Sequence, residues 1–189
     1  MSERIGIVVD GYGDFASLRK RFREGYKILK TDGPRGDKAA VREIALKSRK
    51  QIGMLQAYQC SRVIILLDLE QRNENYDEFT QLIRNCFDEM FFKVPVSIAV
   101  ANRMIENWYL ADIEHLSKNK AFLRKRLKQK NFEGKNGKHI IKRFMKNGFS
   151  YSETDHGPQL FEIIRFEVAR QNSRSFADFL HIAGDNYLI

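Results

Sequence analysis

Apolar residues fall along the first hundred positions in two alternating rhythms. Ile5–Asp10 (IGIVVD) and Arg62–Asp68 (RVIILLD) are almost unbroken aliphatic runs, the pattern of strands buried on both faces. Tyr26–Lys30 and Val94–Ala101 (VPVSIAVA) read as two further strands. Between the strands the period becomes helical. Asp14 stands where an N-cap belongs, after Gly11-Tyr12-Gly13 and ahead of FASLRKRF. Asp37 is the expected cap of a long amphipathic helix to about Tyr58, with Val41, Ile44, Ala45, Ile52 and Leu55 on its inner face. Asn73–Met90 reads as a third helix, carrying Phe79, Leu82, Ile83, Cys86 and Phe87 at helical spacing. Strand and helix in alternation, with short connections, predict an α/β fold: a parallel sheet of about four strands with helices on both faces.

From Ile105 onward the pattern is helical, in short pieces broken near Asn136-Gly137, Gly148 and His156-Gly157-Pro158. Phe161, Ile164, Phe166 and Val168, then Phe176, Phe179 and Leu180, predict two terminal helices packed on an apolar surface. The expected organisation is an α/β core over residues 1–112 and a helical extension over 113–189 that packs on it.

Length and composition agree with one globular domain or one domain with an appendage: 189 residues, 43% apolar and 30% charged. No run approaches the roughly 18 apolar residues of a membrane span, so no membrane partner is expected. The first strand-like run begins at Ile5, which leaves no room for a signal peptide. Two cysteines, Cys60 and Cys86, make neither a disulfide framework nor a metal cluster, and a reducing cytoplasm is the expected location.

Charge changes the picture. The formal net charge is +9, and its excess is local: Lys118 to Lys146 holds twelve basic residues against one acid, Glu133, while the rest of the chain is close to neutral. A basic stripe on a neutral body is the footprint of a polyanion binder, with a solvated, solubilising face as the plainer reading. Arg124, Lys125, Arg126, Lys128, Lys142 and Arg143 are the candidate nucleic-acid contacts within it. Arg35, in the Gly33-Pro34-Arg35-Gly36 loop after the second strand, is a candidate phosphate clamp.

In an open parallel sheet, ligands bind beyond the carboxyl ends of the strands. There the chain presents Asp10 and Asp14 after the first strand, Asp68 and Glu70 after the third, and Glu106 after the fourth. Five carboxylates without His or Cys among them are hard oxygen donors suited to Mg²⁺ or Mn²⁺ rather than zinc. Crowded like charges call for a cation. Two ions about 4 Å apart could hold the attacking and leaving oxygens of a phosphodiester, and a carboxylate with a raised pKa could act as general acid or base.

A strand ending in an acid, then Gly and a second acid, with a later strand ending in Asp68-Leu69-Glu70, resembles the Toprim domain of topoisomerases, primases and related nucleases. The stretch IENWYLAD, with Glu106 beside Trp108, and the closing SRSFADFL narrow the resemblance to the small stand-alone Toprim-like proteins of domain-of-unknown-function family 4276. These are often neighbours of ATPases in phage-defence settings. The resemblance implies a Toprim/Rossmann-like fold and a Mg²⁺-dependent nuclease acting on DNA or RNA, with an ATPase partner. It gives Asp10 the general acid or base role and matches Asp14 to the second acid of that motif. It also makes Asp68 and Glu70 the metal pair, Asp68 catalytic with Asp10, and Glu106 a supporting ligand. Two positions depart from the pattern: Asp10 stands where the family has Glu, and Glu70 where it has Asp. One side chain is a methylene short and the other a methylene long. The alternative is therefore a catalytically degenerate module that keeps nucleic-acid or partner binding.

Plainer readings stand beside these. Asp14 could be an N-cap only, Glu70 a solvated loop residue, and Glu106 a first-turn acid facing the helix dipole. Trp108 reads as a core anchor. Tyr12, on the expected rim, could stack on a base or cap the sheet. No GxxxxGK[ST] and no third dinucleotide-fingerprint glycine occur, and the four histidines are scattered. A phosphotransfer receiver would place a Lys after the fourth strand, where Asn102-Arg103 stand instead.

Overall fold

The computed structural model describes residues 4–33 and 37–184. Arg35 lies outside the described residues. Four strands, β1 (Ile5–Val9), β2 (Tyr26–Lys30), β3 (Arg62–Asp68) and β4 (Val96–Ala101), form one parallel sheet in the order β2-β1-β3-β4. The sheet is where the apolar runs put it: every residue of β1 is buried, as are Val63–Leu67 of β3. Ile5 pairs with Tyr26 on one side and Arg62 on the other, so β1 is the centre from which the order reverses.

Right-handed crossovers then decide which helix covers which face. The chain moves one way from β1 to β2 through α1 (Tyr12–Arg21), and the other way through α2 (Val41–Ala57) and α3 (Tyr76–Asp88). Helices α2 and α3 bury Val8, Val63, Ile65, Leu67, Ile98 and Val100 on their face. On the opposite face α1 alone is left, and Ile64, Leu66, Ala99 and Ala101 need other cover. The helical second half supplies it: α4 (Glu106–Leu110), α5 (Ile113–Asn119), α6 (Gly137–Phe144), α7 (His156–Ile163), α8 (Phe166–Asn172) and α9 (Arg174–Ala183). They join α1 and that face in one continuous core. Trp108 is its anchor, fully buried, stacked on Phe179 at 5.0 Å and donating Nε1–H to Ser175 Oγ at 2.9 Å.

Local starts differ from the sequence expectation at two helices. Helix α1 begins at Tyr12 with Gly11 as its extended N-cap, so Asp14 is a first-turn residue, not a cap. Asp37 sits in a turn, and α2 turns helical only at Val41, with Ala40 as cap. In α3 the capping box is Asn75–Glu78, reciprocally bonded at 3.0 Å each way. Leu82 lies off the Phe79–Ile83–Phe87 line and is exposed. The basic block is only partly helical: residues 120–136 are irregular, tied by a bridge between Leu123 and Met145. Glu133, the lone acid there, accepts from Ser173 Oγ (2.6 Å) and Ser175 N (3.0 Å) and so holds the start of α9. Among the described residues no helix is long and apolar enough to cross a membrane.

Candidate functional site

Order reversal between β1 and β3 opens a crevice at their carboxyl ends, the usual ligand position of such sheets. A pocket of about 370 Å³ lies there, and Asp10, Asp14, Asp68 and Glu70 line it. Asp10 follows the last residue of β1 and is buried; Asp68 ends β3 opposite Ala101. Asp14 comes round on the first turn of α1. Its Oδ2 would stand 2.6 Å from a Cβ at position 11, so Gly11 is what allows the carboxylate that close to the chain. Glu70 adopts φ 58°, a left-handed conformation costing about 1–2 kcal/mol for a non-glycine residue. Its N–H is fixed on Arg103 O at 2.7 Å.

Glu106 joins them from the fourth strand's side. Asp68 Oδ1 accepts from Ile105 N at 3.1 Å, tying the start of α4 to the tip of β3. Glu106 is 2% exposed; Oε1 accepts from Tyr151 O–H at 3.0 Å, and Oε2 is buried with no partner. Thus four of the five carboxylates interact at close quarters, and Glu70 lines the same pocket and adds its charge to Asp68.

The electrostatics follow from burial and mutual repulsion. Burial, then Asp10 and Glu106, push the Asp14 carboxyl well above the usual range against the pull of Lys138. A side-chain interaction with Asp10 pushes Asp14 the same way. Asp68 is raised by burial, then Asp14, Asp10, Glu106 and Glu70. Glu106 is pushed up to about 7 by burial, with Lys138 and the Tyr151 hydrogen bond opposing. The donors fit a hard divalent ion in chemistry: all are carboxylate oxygens, and one buried oxygen lacks a partner. As they stand, however, no three His, Cys, Asp or Glu side chains among the described residues are placed to hold a metal.

Three side chains of the site carry no sequence signal of their own. Lys138, one of twelve basic residues in its block, leaves the first turn of α6 to line the pocket and pairs with Glu153 Oε1 at 3.1 Å. Burial would lower its pKa, but Glu106 and Glu153 outweigh that and raise it. Tyr151 and Glu153 come from the loop before α7. Gly137 permits the approach: a Cβ there would meet Asn107 Oδ1 at 2.6 Å and Glu106 Cβ at 2.8 Å. Tyr12 stands exposed at the pocket mouth, with Lys30 Nζ 4.7 Å above its ring.

The expected nucleic-acid contacts are dispersed. Arg124 donates to Met145 O at 3.1 Å and Lys125 to Lys118 O at 2.8 Å, so both also brace the irregular segment. Lys142 is exposed, one turn beyond Lys138 on α6. Arg126, Lys128 and Arg143 line a separate groove.

A family model described as "Domain of unknown function (DUF4276)" matches residues 9–182, and the chain belongs to that family. No curated protein and no solved structure matches.

Proposed function

We propose that this member of the DUF4276 family is a Mg²⁺- or Mn²⁺-dependent nuclease that hydrolyses phosphodiester bonds of DNA or RNA at the carboxylate pocket. The observation that carries the reading is the buried, unpartnered Glu106 Oε2, beside a pocket whose carboxylates raise one another against a single lysine. Such a group is relieved by protons or by a hard cation. Asp10, Asp68 and Glu70 would hold the ion, with Glu106 and Asp14 in support. When bound, it supplies charge compensation and a Lewis acid for a phosphate oxygen.

The chain's own groups cover the remaining roles. A carboxyl raised to about 7 holds a proton near neutral pH, so Glu106 can keep one at Oε2. Lys138 brings positive charge to the rim where a phosphate would lie. Tyr12 offers an exposed ring at the mouth for the adjoining base. On the Toprim resemblance we place the activity in phage defence with an ATPase partner. We place it in the cytoplasm, where Cys60 and Cys86 stay free thiols.

The test is cleavage of labelled single- and double-stranded DNA and RNA with Mg²⁺ or Mn²⁺, in wild type and Asp68→Ala. Loss of cleavage with retained nucleic-acid affinity supports the role of Asp68; full activity in the variant removes it. A second reading, nucleic-acid binding without turnover, draws on the absence of three converging ligands among the described residues. It predicts salt-sensitive binding and no cleavage with any metal.

A further inference from the structure

A second depression lies on the other flank of α6. It encloses about 440 Å³, within the range of small-ligand sites. Arg126, Lys128, Lys130 and Arg143 form its rim, and no carboxylate lines it. All four are exposed, and none of their side chains makes an ion pair or hydrogen bond among the described residues. Arg126 is held at φ 61°, a left-handed backbone that a non-glycine residue rarely adopts.

The floor is of the opposite character. Leu127, Ile140 and Phe144 are half-buried there, and Phe132 meets Phe144 edge-on with ring centroids at 6.0 Å. Four unpaired cations around an apolar, aromatic floor match a ligand that carries anionic groups on an apolar, π-faced body. A nucleic-acid strand with its bases unstacked has that chemistry, whereas a duplex presents phosphates and hides its base faces. The helical repeat puts Ile140, Arg143 and Phe144 on the groove flank of α6, and Lys138 and Lys142 on the flank toward the carboxylate pocket. The two sites are thus separated by the width of one helix, about 10 Å.

We infer that this groove is a binding site for single-stranded nucleic acid, whose phosphates meet the cationic rim and one of whose bases rests on the Phe144–Ile140 floor. The strand then crosses the crest of α6 to the carboxylate pocket. The crossing rests on the nuclease reading; the binding does not.

Binding is measured by fluorescence anisotropy in EDTA, so that cleavage plays no part. The probes are labelled oligothymidine, oligouridine, a hairpin duplex of equal charge, and an abasic backbone of equal length. Wild type is expected to bind one of the two single strands about tenfold or more tighter than the abasic backbone or the duplex, within what one stacked base contributes. The double variant Lys128→Glu/Arg143→Glu, both positions being exposed, should keep its circular dichroism and melting temperature and lose at least tenfold in affinity. Equal affinity for abasic and base-bearing strands, preference for the duplex, or unchanged binding in the folded double variant would overturn the inference. So would binding to phosphatidylserine vesicles, lost in the double variant, with no binding to either oligonucleotide. Failure of the nuclease reading shows separately, as absent cleavage and absent metal binding with oligonucleotide binding intact.

Discussion

Replacing Glu106 by Gln should invert the usual cost of altering a buried polar residue. In the folded protein Glu106 titrates near 7, against an ordinary value of 4.5. A folded-state carboxyl raised in this way binds its proton more tightly than the unfolded chain does, so stability falls as pH rises. Below about 4.5 both states are protonated and nothing is lost. Between about 4.5 and 7 the penalty accumulates, and above 7 it is complete. Raising this carboxyl from 4.5 to about 7 corresponds to about 3 kcal/mol. For a chain of this length that is roughly 6–12 °C in Tm. Asp14 and Asp68 shift in the same direction and steepen the fall. Gln keeps the acceptor for Tyr151 and carries no charge to repel the two aspartates. Thermal melts in EDTA from pH 4.5 to 8 should show wild type losing stability steadily. Glu106→Gln should lose less, and should melt several degrees above wild type at pH 8. Superimposable pH profiles, or a variant destabilised equally at pH 5 and pH 8, would refute the electrostatic origin of the strain.

Three further outcomes follow from contacts elsewhere. Gly137→Ala drives a Cβ into Asn107 and Glu106, and should cost about 1–3 kcal/mol in chemical denaturation while weakening the response to metal. Arg165→Met leaves Asp112, 1% exposed, without the guanidinium that grips it at 2.6 and 3.0 Å; a loss of about 3 kcal/mol is expected, and a neutral result would show that Arg165 N–H alone suffices. Lys138→Met removes the cation that holds Asp14 and Glu106 down, so the Glu106 carboxyl should titrate above its wild-type position by NMR.

The sheet was legible because a parallel strand buried on both faces cannot hide its apolar run, and Asp10 and Asp68 were legible because each ends such a run. Glu106 could be placed from the acid that follows the fourth strand. What the chain order conceals is everything that tertiary folding brings across. Lys138 is one lysine among many until α6 docks beside α4, and Tyr151 and Glu153 arrive from a loop with no periodicity. The capping errors have a local cause: Gly11 and Ala40 cap without a side-chain hydrogen bond, so no residue type marks them. Residues 120–136 fall within the helical pattern expected from Ile105 onward, but Phe122, Leu123 and Phe132 are buried from an irregular path that helical spacing does not describe.

The carboxylate pocket is expected to take a divalent ion in exchange for protons. Calorimetric titration of Mn²⁺ and Mg²⁺ at pH 7, in two buffers of different ionisation enthalpy, tests it in wild type and Asp68→Ala. Saturable binding with proton release in wild type, lost in the variant, is the predicted result. No binding at millimolar metal, with or without oligonucleotide, or equal binding in the variant, would contradict it.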